Sequence, residues 1–439
     1  MNSPAGEPPV TAVCTAPGPA GIAVVRLSGT GAYAIADRLC AGAKVPPSRM
    51  PAGTFRLVKL RDPADGGLVG EAVVLAFRAP HSYTGEDVVE FQTHGGRVSA
   101  RRVVAALVAC GARPAGPGEF SRRAFLNGRM DLSMAEAVMD LIGAQSERAG
   151  RAAAEQLDGR LGRALDTCYD DLMSVCADVE ASLDFADDES AGVLEPADVP
   201  GRLLGVAARL QALADTRREG HLLREGARVV LSGAPNAGKS TLFNALLGAF
   251  RAIVSDVPGT TRDTIEETLL LKGIPLRVVD TAGLRETDSP IERMGVERAV
   301  ALVRGADINL RVVDLAADPE PQLAWVGDAA YSGERTIVVL NKADVAPGGR
   351  VETLTRRLAG AGYEAVAVSA QEGAGLEALR EAMERKVCAG DDAGVAAQGV
   401  AVSERHHALI AEALAALREA LALQEAGAED AAVVCAKRL

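Results

Sequence analysis

The sequence predicts a multidomain α/β and α protein, in which an α/β domain with a glycine-rich loop is inserted into a discontinuous helical domain behind an α+β N-terminal domain. Three observations predict this architecture. β-like runs alternate with turns over the first 128 residues, long helical patterns follow, and a strand, a glycine-rich turn and a helix meet near residue 233. At 439 residues the chain is also too long for a single core.

Composition narrows the class of protein. The chain has 48% hydrophobic residues but no apolar run long enough to span a membrane and no basic-then-apolar leader, which predicts a cytoplasmic protein. A net charge of −12 argues against nucleic-acid binding by electrostatic attraction along the whole chain. The seven cysteines show no C-x-x-C pair and no metal spacing with histidine, so most are expected to be small core residues.

The N-terminal domain, predicted over residues 1–128, carries four β-like runs and one helix. The runs cover residues 21–27, 54–58, 71–77 and 87–92, and the helix covers roughly residues 98–110. Arginines between positions 97 and 129 form a candidate basic patch for nucleic acid, and the solvated face of a helix is an equally supported alternative. They are Arg97, Arg101, Arg102, Arg113, Arg122, Arg123 and Arg129.

The remaining boundaries follow from changes in pattern along the chain. A helical domain is predicted in two parts, residues 129–224 and 387–439, around an α/β domain at residues 225–386. Because the two helical parts are expected to pack together, the two ends of the inserted domain should lie close in space.

Three local patterns within the helical parts predict a helix cap, a loop and a pair of surface histidines. Ser133 and Glu136 are spaced as a capping box at a helix start. The acidic segment 184–189 interrupts the helical pattern and predicts a loop rather than a metal site. His406 and His407 begin a later amphipathic helix and are expected on its surface rather than as ligands.

A glycine-rich segment, Gly233-Ala-Pro-Asn-Ala-Gly-Lys-Ser240, lies between a β-rich run and a helix-like run. In that context glycines let backbone N–H groups crowd around phosphates. Lys239 would then reach the β- and γ-phosphates, and Ser240 would ligate Mg²⁺. The segment predicts a site for a nucleoside triphosphate.

Two further segments supply groups typical of nucleotide switches. Thr261 could offer its hydroxyl to Mg²⁺ and sense the γ-phosphate. Residues 269–280 predict a hairpin that delivers Asp280 to a strand end, where the carboxylate acts on Mg²⁺ indirectly or through water. Gly283 would supply an N–H to the γ-phosphate.

The segment Asn341-Lys-Ala-Asp344 ends a hydrophobic strand. The Asp344 carboxylate can accept hydrogen bonds from the N1–H and 2-amino group of guanine, which adenine does not offer, so an unpaired buried Asp344 would penalise ATP. Ser369, Ala370 and Gln371 follow the next strand and fit a last base-contacting loop. The four motifs in this order predict a GTP site.

Leu284 follows Gly283 at the position where Ras-like switches have a glutamine that orients the attacking water. This chain must therefore orient that water with another group. The charged residues downstream are candidates, and the solvated face of a switch helix is the alternative for each of them. They are Arg285, Glu286, Asp288, Glu292 and Arg293.

Three N-terminal segments stand out beside these motifs: residues 80–92, His94-Gly-Gly96 and residues 117–132. They resemble the tRNA modification GTPase family MnmE, also called TrmE, and the likeness spans nearly the whole chain. The resemblance implies a folate-binding, dimerising N-terminal domain, a discontinuous helical domain and an inserted Ras-like P-loop GTPase domain with a mainly parallel, doubly wound sheet. It also implies joint action with an FAD-dependent partner protein, which places an aminomethyl-type group on C5 of the wobble uridine of certain tRNAs.

The resemblance further implies a K⁺-stimulated homodimeric GTPase. Asn236 and backbone carbonyls of the following loop would hold K⁺, which stabilises transition-state charge in place of an arginine finger. The loop carbonyls are those of Ser255, Val257 and Thr260. Glu292 would orient the water and act with Lys239 in catalysis. The nucleotide contacts implied overall are Asn236, Ala237, Gly238, Lys239, Ser240, Thr241, Ser255, Thr260, Thr261, Asp280, Thr281, Ala282, Gly283, Asn341, Lys342, Asp344, Ser369, Ala370 and Gln371.

By the same resemblance Arg26, Glu90 and Arg129 would contact a 5-formyl-tetrahydrofolate-type one-carbon donor. Basic groups suit the glutamate carboxylate of a folate, and a carboxylate suits the amino and ring N–H groups of its pterin. An ordinary salt bridge at a strand edge is the alternative for Arg26 and Glu90. Position 129 departs from the family, in which lysine is common.

The family closes with a Cys-x-Gly-Lys tail that reaches the folate site, whereas this sequence ends Val434-Cys-Ala-Lys-Arg-Leu439. The resemblance implies that the tail cysteine takes part in the modification, and Cys435, which lies where the family's penultimate helix begins, is not assigned that role. Either the gene product is truncated or this homologue lacks the motif. The missing tail motivates a second hypothesis, a regulatory GTP-binding switch without a covalent part in tRNA modification. The first hypothesis is a GTPase that serves wobble-uridine modification.

Overall fold

The computed structural model describes residues 7–184, 198–250, 266–280, 301–388 and 400–425. The chain divides into two compact units, Met1–Val138 and Met139–Leu439, called here the first and second units. Each unit contains one six-stranded sheet.

The first unit contains β1–β6 and α1–α3. The strands are β1 Val10–Val13, β2 Ile22–Ser28, β3 Thr54–Arg61, β4 Leu68–Phe77, β5 Val88–His94 and β6 Arg113–Pro114. The helices are α1 Ala32–Leu39, α2 Arg97–Ala109 and α3 Glu119–Leu126. The strand order is β3-β4-β5-β2-β1-β6, and neighbours are antiparallel except β1 and β6.

Alternating side chains give this first sheet one packed face and one open face. On the packed face Phe91 is fully buried in a core that also contains Leu39 of α1 and Leu107 of α2. Replacing such a phenylalanine by alanine costs about 3–5 kcal/mol. On the open face Phe55 and Leu57 are 70% and 67% exposed. The four predicted β-like runs and the helix after them are confirmed as β2–β5 and α2.

The second unit contains the other strands and most of the helices. The strands are β7 Ala227–Gly233, β8 Glu266–Leu271, β9 Ile274–Asp280, β10 Ile308–Asp314, β11 Thr336–Asn341 and β12 Glu364–Val368. The helices are α4 Leu132–Gly143, which begins in the first unit, and α5 Glu147–Leu157, α6 Arg160–Asp184, α7 Val199–Asp215, α8 Arg217–Glu225, α9 Lys239–Phe250, α10 Arg350–Gly360, α11 Leu376–Val387 and α12 Glu404–Glu425.

The sheet of the second unit has the order β12-β11-β10-β7-β9-β8. Its pairs are parallel except for the antiparallel hairpin of β8 and β9. Every residue of β11 is buried, as expected of a central strand covered on both faces. In parallel sheets the carboxyl ends of the strands share one edge, so the loops after β7, β9, β10, β11 and β12 lie at that edge.

Helical segments that precede and follow this sheet in the sequence share one hydrophobic core. Leu161 of α6, Leu203 of α7 and Leu417 of α12 are all buried in it, together with Val402 just before α12. A Cβ atom on Gly220 of α8 would lie 2.8 Å from the carbonyl oxygen of Val402, so the two ends of the intervening segment are in contact. The predicted fold class is confirmed, while the domain boundaries at residues 128, 224 and 386 stay a prediction.

Two local predictions are wrong. Asp131, not Ser133, caps α4, because its Oδ1 accepts from the Met134 N–H at 2.7 Å and from the Ser133 hydroxyl at 2.7 Å. His406 is 6% exposed rather than on the surface, and its Nδ1 lies 3.0 Å from the Ser403 hydroxyl just before α12. His407 is partly exposed, so the prediction is wrong for His406 alone.

Three expectations about composition are tested only in part. Cys40, Cys110 and Cys168 are buried, while Cys14 is exposed. Among the residues that the structure describes, no cluster of three or more His, Cys, Asp and Glu side chains is placed to hold a metal. No helix in the same described ranges is long and apolar enough to cross a membrane. Most of the predicted acidic loop lies outside those ranges.

Candidate functional site

The glycine-rich loop lies between β7 and α9 at the carboxyl edge of the parallel sheet. Gly233, Asn236 and Gly238 adopt positive φ angles of 150°, 60° and 91°. A Cβ atom on Gly233 would lie 2.4 Å from the carbonyl oxygen of Val312. One on Gly238 would lie 2.3 Å from Nδ2 of Asn341. Only glycine fits both positions, because the loop backbone packs directly against β10 and Asn341. A glycine-rich loop between a strand and a helix is the usual cradle for phosphate oxygens.

Lys239 begins α9 and reaches back across this loop. The residue is 9% exposed, and its Nζ donates to the carbonyl oxygens of Gly233 at 3.0 Å and Ala234 at 2.9 Å. A phosphate in the cradle would offer this ammonium a charge-assisted hydrogen bond. Ser240 and Thr241 follow it and are exposed in the first turn of the helix.

Asn341 joins the glycine-rich loop to the loop after β12. It is 2% exposed, its Nδ2 donates to the Ala237 carbonyl at 2.9 Å, and its Oδ1 accepts from the Ala370 N–H at 3.1 Å. Losing either partner would leave a buried polar group unsatisfied, at about 1–3 kcal/mol each. One side chain therefore connects the glycine-rich loop, the segment that ends at Asp344 and the loop of Ser369 to Gln371.

Lys342 makes a second connection at the same edge. It adopts a φ angle of 61°, and its Nζ donates to the Asn236 carbonyl at 3.2 Å and to Oδ2 of Asp314 at 2.6 Å. Sequence reasoning missed Asp314 and its strand β10. A signal was present, because Arg311-Val-Val-Asp314 repeats the pattern of Arg277-Val-Val-Asp280 at the end of β9.

The candidate base-contacting residues differ in exposure. Asp344 was expected to be buried, but it lies in a short 3₁₀ turn, Ala343–Val345, and is exposed. Gln371 is exposed as well. Ser369 is 2% exposed and pairs with Ala374 in an isolated antiparallel bridge that closes its loop. A buried frame thus carries exposed polar side chains, which is the arrangement that a planar ligand entering from solvent requires.

Several candidate residues lie outside the described part of the chain. Asp280 ends β9 opposite Leu231 in the register of the parallel pair, so its backbone position is described. The candidates outside the described ranges are Ser255, Val257, Thr260, Thr261, Thr281, Ala282, Gly283, Leu284, Arg285, Glu286, Asp288, Glu292 and Arg293, together with Cys435.

The first unit brings its own candidate residues together on the open face of its sheet. Arg26 and Glu90 are cross-strand neighbours, and Nε of the arginine donates to Oε1 of the glutamate at 2.8 Å. The Arg26 guanidinium also lies 4.5 Å from the ring centroid of Tyr83 and 5.2 Å from that of Phe120. Arg129 donates from Nε to the carbonyl of Ser82, beside Tyr83, at 3.2 Å.

A buried ion network holds the two segments that carry these rings. Arg123 is 4% exposed and donates to both oxygens of Glu86 and to Glu119. Burial alone raises the pKa of Glu119, but hydrogen bonds from Arg113 and the Gly116 N–H outweigh it and lower the pKa to about 2. Arg113 and Arg123 are thus engaged by carboxylates, which removes them from the predicted basic patch for nucleic acid.

Comparison with known proteins identifies the family of the chain. Residues 9–129 match the family described as GTP-binding protein TrmE N-terminus, and residues 132–438 match the MnmE helical domain. The second match alone covers more than half of the chain. The chain belongs to the MnmE family of tRNA modification GTPases.

Relatives named tRNA modification GTPase MnmE align over nearly their full length. One from Thermus thermophilus is 45% identical over 420 residues, covering 95% of this chain and 90% of the relative. One from an Azoarcus species is 43% identical, covering 96% and 89%. One from Symbiobacterium thermophilum is 41% identical, covering 97% and 92%. The alternative of a regulatory switch without a role in tRNA modification is not favoured by these MnmE relatives.

Proposed function

We propose that the chain hydrolyses GTP to GDP and phosphate and that this hydrolysis serves the modification of tRNA. Membership of the MnmE family implies the use of GTP and Mg²⁺ and a tRNA substrate. The observation that carries the proposal is Asn341, whose buried amide joins the glycine-rich loop to the loop after β12. One side chain thereby holds the phosphate-binding and base-binding segments in a single frame.

The residues of this frame divide the work between phosphate, metal and base. Backbone N–H groups of the glycine-rich loop and the Lys239 ammonium would bind the phosphates, and the Ser240 and Thr261 hydroxyls would hold Mg²⁺. When bound, Mg²⁺ would neutralise charge on the β- and γ-phosphates. Asp280 would act on the metal indirectly or through water. The exposed Asp344 carboxylate accepts hydrogen bonds from the guanine N1–H and 2-amino group.

K⁺ stimulation is part of the proposal and rests on Asn236 and the carbonyls of Ser255, Val257 and Thr260. Asn236 is fixed at the tip of the glycine-rich loop by the hydrogen bond from Lys342 to its carbonyl. Bound K⁺ would stabilise charge on the transferring phosphoryl group. We expect GTP turnover about tenfold or more faster in KCl than in NaCl of equal ionic strength. Equal rates of GTP turnover in the two salts would exclude a functional K⁺ site.

Glu292 is proposed to orient the attacking water, because Leu284 occupies the position of the usual glutamine. Glu292→Ala should lower GTP turnover by roughly a hundredfold without weakening GDP binding. Glu286→Ala, from the same charged segment, is the matched control and should stay near wild type. Wild-type turnover in Glu292→Ala would mean that another residue orients the water.

The tRNA product proposed is an aminomethyl-type group on C5 of the wobble uridine, formed together with an FAD-dependent partner protein. Cells that lack the gene should lose this nucleoside from digested tRNA, as measured by mass spectrometry. Wild-type chain should restore it, and Lys239→Ala should not. Unchanged tRNA in the deleted strain would overturn the modification role while leaving GTP hydrolysis standing.

The first unit is proposed to bind a 5-formyl-tetrahydrofolate-type donor through Arg26, Glu90 and Arg129. Because Arg26 and Glu90 contact one another, they can meet only one end of such a ligand, not its glutamate and its pterin separately. We assign the pair to the pterin, with the second Glu90 oxygen accepting from its N–H groups. Arg129 is then the cation for the glutamate carboxylate.

Homodimerisation is proposed through the open face of the first sheet. Phe55 and Leu57 are exposed there and face Leu75 and Val73 across the β3–β4 pair. Such contiguous apolar surface is typical of an interface. Size-exclusion chromatography with light scattering should give a dimer for wild type and a monomer for Phe55→Glu/Leu57→Glu. A dimer in both would place the interface elsewhere.

A further inference from the structure

The β8–β9 hairpin runs from the carboxyl edge of the second unit's sheet to the opposite edge. The carboxyl edge carries the candidate nucleotide site and is called here the nucleotide edge. At the nucleotide edge β9 ends at Asp280, in register with Leu231 on the strand that leads into the glycine-rich loop. At the opposite edge the strands are joined by the two-residue turn Lys272-Gly273, whose φ angles are 49° and 78°. Two positive φ angles are what a tight hairpin turn of this length requires. The turn and Asp280 are therefore at the two ends of one strand.

The turn packs against helices that precede and follow the sheet in sequence. A Cβ atom on Gly273 would lie 3.1 Å from Cβ and 3.7 Å from Cδ of Arg148, in the first turn of α5. Nζ of Lys272 lies 3.2 Å from Oε2 of Glu384 on α11. The aliphatic stem of Arg148 thus lies directly against the backbone of the turn.

Arg148 is itself held in one direction by a buried partner. Its Nη2 donates to Oε1 of Glu219 on α8, a residue that is 2% exposed. The neighbouring Ala149 lies in the same hydrophobic cluster as Leu269 of β8 and Leu276 of β9. The helices and the hairpin therefore share one core beside this arginine, whose own side chain is 34% exposed.

A second close contact joins the end of α8 to strand β9. Gly226 follows α8 with a φ angle of 76°, and a Cβ atom on it would lie 2.7 Å from the carbonyl oxygen of Pro275 in β9. The backbone at the end of α8 therefore lies directly against the strand that ends at Asp280. A displacement of α5 and α8 has to be accommodated by β9, because packed interiors transmit strain.

We propose that Arg148 is a positioning residue for the GTPase site, acting through the turn at residues 272–273 and strand β9 on Asp280. This rests on the GTP hydrolysis proposed above. The stem of the arginine supports the turn, and the ion pair with Glu219 fixes the direction of the stem. Since coupling between sites is reciprocal, the state of the nucleotide edge also biases the packing of α5 and α8.

The test is steady-state GTP hydrolysis by the full chain as a function of Mg²⁺ concentration. Arg148→Ala removes the stem and the charge, whereas Arg148→Lys keeps a long stem and a charge that can reach Glu219. Arg151→Ala is the matched control, because Arg151 lies on the same helix with its side chain 82% exposed. Melting temperatures are measured in parallel, and all rates are taken well below the lowest of them.

We expect the half-saturating Mg²⁺ concentration to rise about threefold to tenfold in Arg148→Ala, the range typical of coupling through packed contacts. Arg148→Lys should stay within about twofold of wild type, as should Arg151→Ala. A purely structural role would lower the melting temperature of Arg148→Ala and leave the half-saturating Mg²⁺ concentration unchanged, and that result would overturn the inference. If wild type and Arg151→Ala hydrolyse no GTP, the proposed activity fails instead.

Discussion

The two six-stranded sheets hold their candidate sites in different ways. In the second unit the site lies in loops at the carboxyl edge of parallel strands, and backbone groups of the glycine-rich loop make up much of it. In the first unit the site is a pair of side chains, Arg26 and Glu90, on the open face of a mainly antiparallel sheet. The first arrangement depends on backbone conformation, and the second on the register between two strands.

This difference decides how each site tolerates change. A backbone cradle survives most side-chain replacements but not a Cβ atom on Gly233 or Gly238, which would lie within 2.4 Å of neighbouring atoms. A cross-strand pair tolerates substitutions elsewhere in its two strands as long as the strand register is kept. A single substitution at either position of the pair leaves its partner unpaired. We therefore expect the two sites to respond to separate sets of variants.

The largest effect is expected for Lys239→Ala. The variant loses the ammonium held over the phosphate cradle, so GTP turnover should fall by roughly 10²–10³-fold. Binding of 5-formyl-tetrahydrofolate, measured by calorimetry, should stay at the wild-type level, because the first sheet is untouched. Lys59→Ala, an exposed lysine on β3, serves as the control and should retain both properties. Loss of folate binding in Lys239→Ala would break the separation of the two sites.

The next effect is expected for Asp344→Asn, which replaces the acceptor carboxylate by an amide. GDP affinity should fall by roughly ten- to a hundredfold, the equivalent of about 1.5–3 kcal/mol for hydrogen bonds to a charged group. Because Asp344 is exposed, the melting temperature should not change. Asn341→Ala provides the contrast, since this buried amide also supports two loops and its loss should lower the melting temperature as well. Equal melting behaviour of the two variants would contradict the buried frame.

A smaller effect is expected for Glu90→Gln in the first unit. Affinity for 5-formyl-tetrahydrofolate should fall about tenfold, with GDP affinity unchanged. Arg26→Met should weaken binding by a similar factor. The double variant should be no worse than either single variant, because the two residues act as a unit. Additive losses would mean that each residue contacts the ligand independently, as the sequence alone suggested.

The smallest effect is expected in the pH dependence of stability around Glu119. Its pKa, lowered from 4.5 to about 2, means that the folded state favours the ionised form. The resulting stability is present above pH 4.5 and is lost as pH falls towards 2. Glu119→Gln lacks this contribution, so its melting temperature should lie below wild type near neutral pH and approach it as pH falls. A constant gap across that range would exclude the linkage.

Much of the second site could be predicted from the sequence because its chemistry is local. The glycine-rich loop and the segment ending at Asp344 are each contiguous, so residue type and spacing carry the information. The bridge from Asn341 to Ala237 and Ala370 could not be predicted, since it joins positions 104 and 29 residues apart. Asp314 was missed because its strand, β10, ends outside the four contiguous nucleotide motifs.

The first unit was less accessible to sequence reasoning. Its strands β2–β5 follow the expected alternation, but the ion pair of Arg26 and Glu90 depends on a strand register that no local pattern specifies. The sequence left a strand-edge salt bridge open as the alternative to ligand contact, and the structure contains a salt bridge between these residues on the interior strands β2 and β5. His406 was also misplaced, because residue types at a helix start do not show that the ring is buried and lies within hydrogen-bond distance of Ser403.

The most direct test of the account is the nucleotide specificity of hydrolysis by the full chain with Mg²⁺ and KCl. GTP and ATP are supplied at equal concentration to wild type and to Lys239→Ala, and phosphate release is measured. Wild type should release phosphate from GTP and not from ATP, and Lys239→Ala should release it from neither. Equal release from the two nucleotides, or undiminished release by Lys239→Ala, would contradict the account.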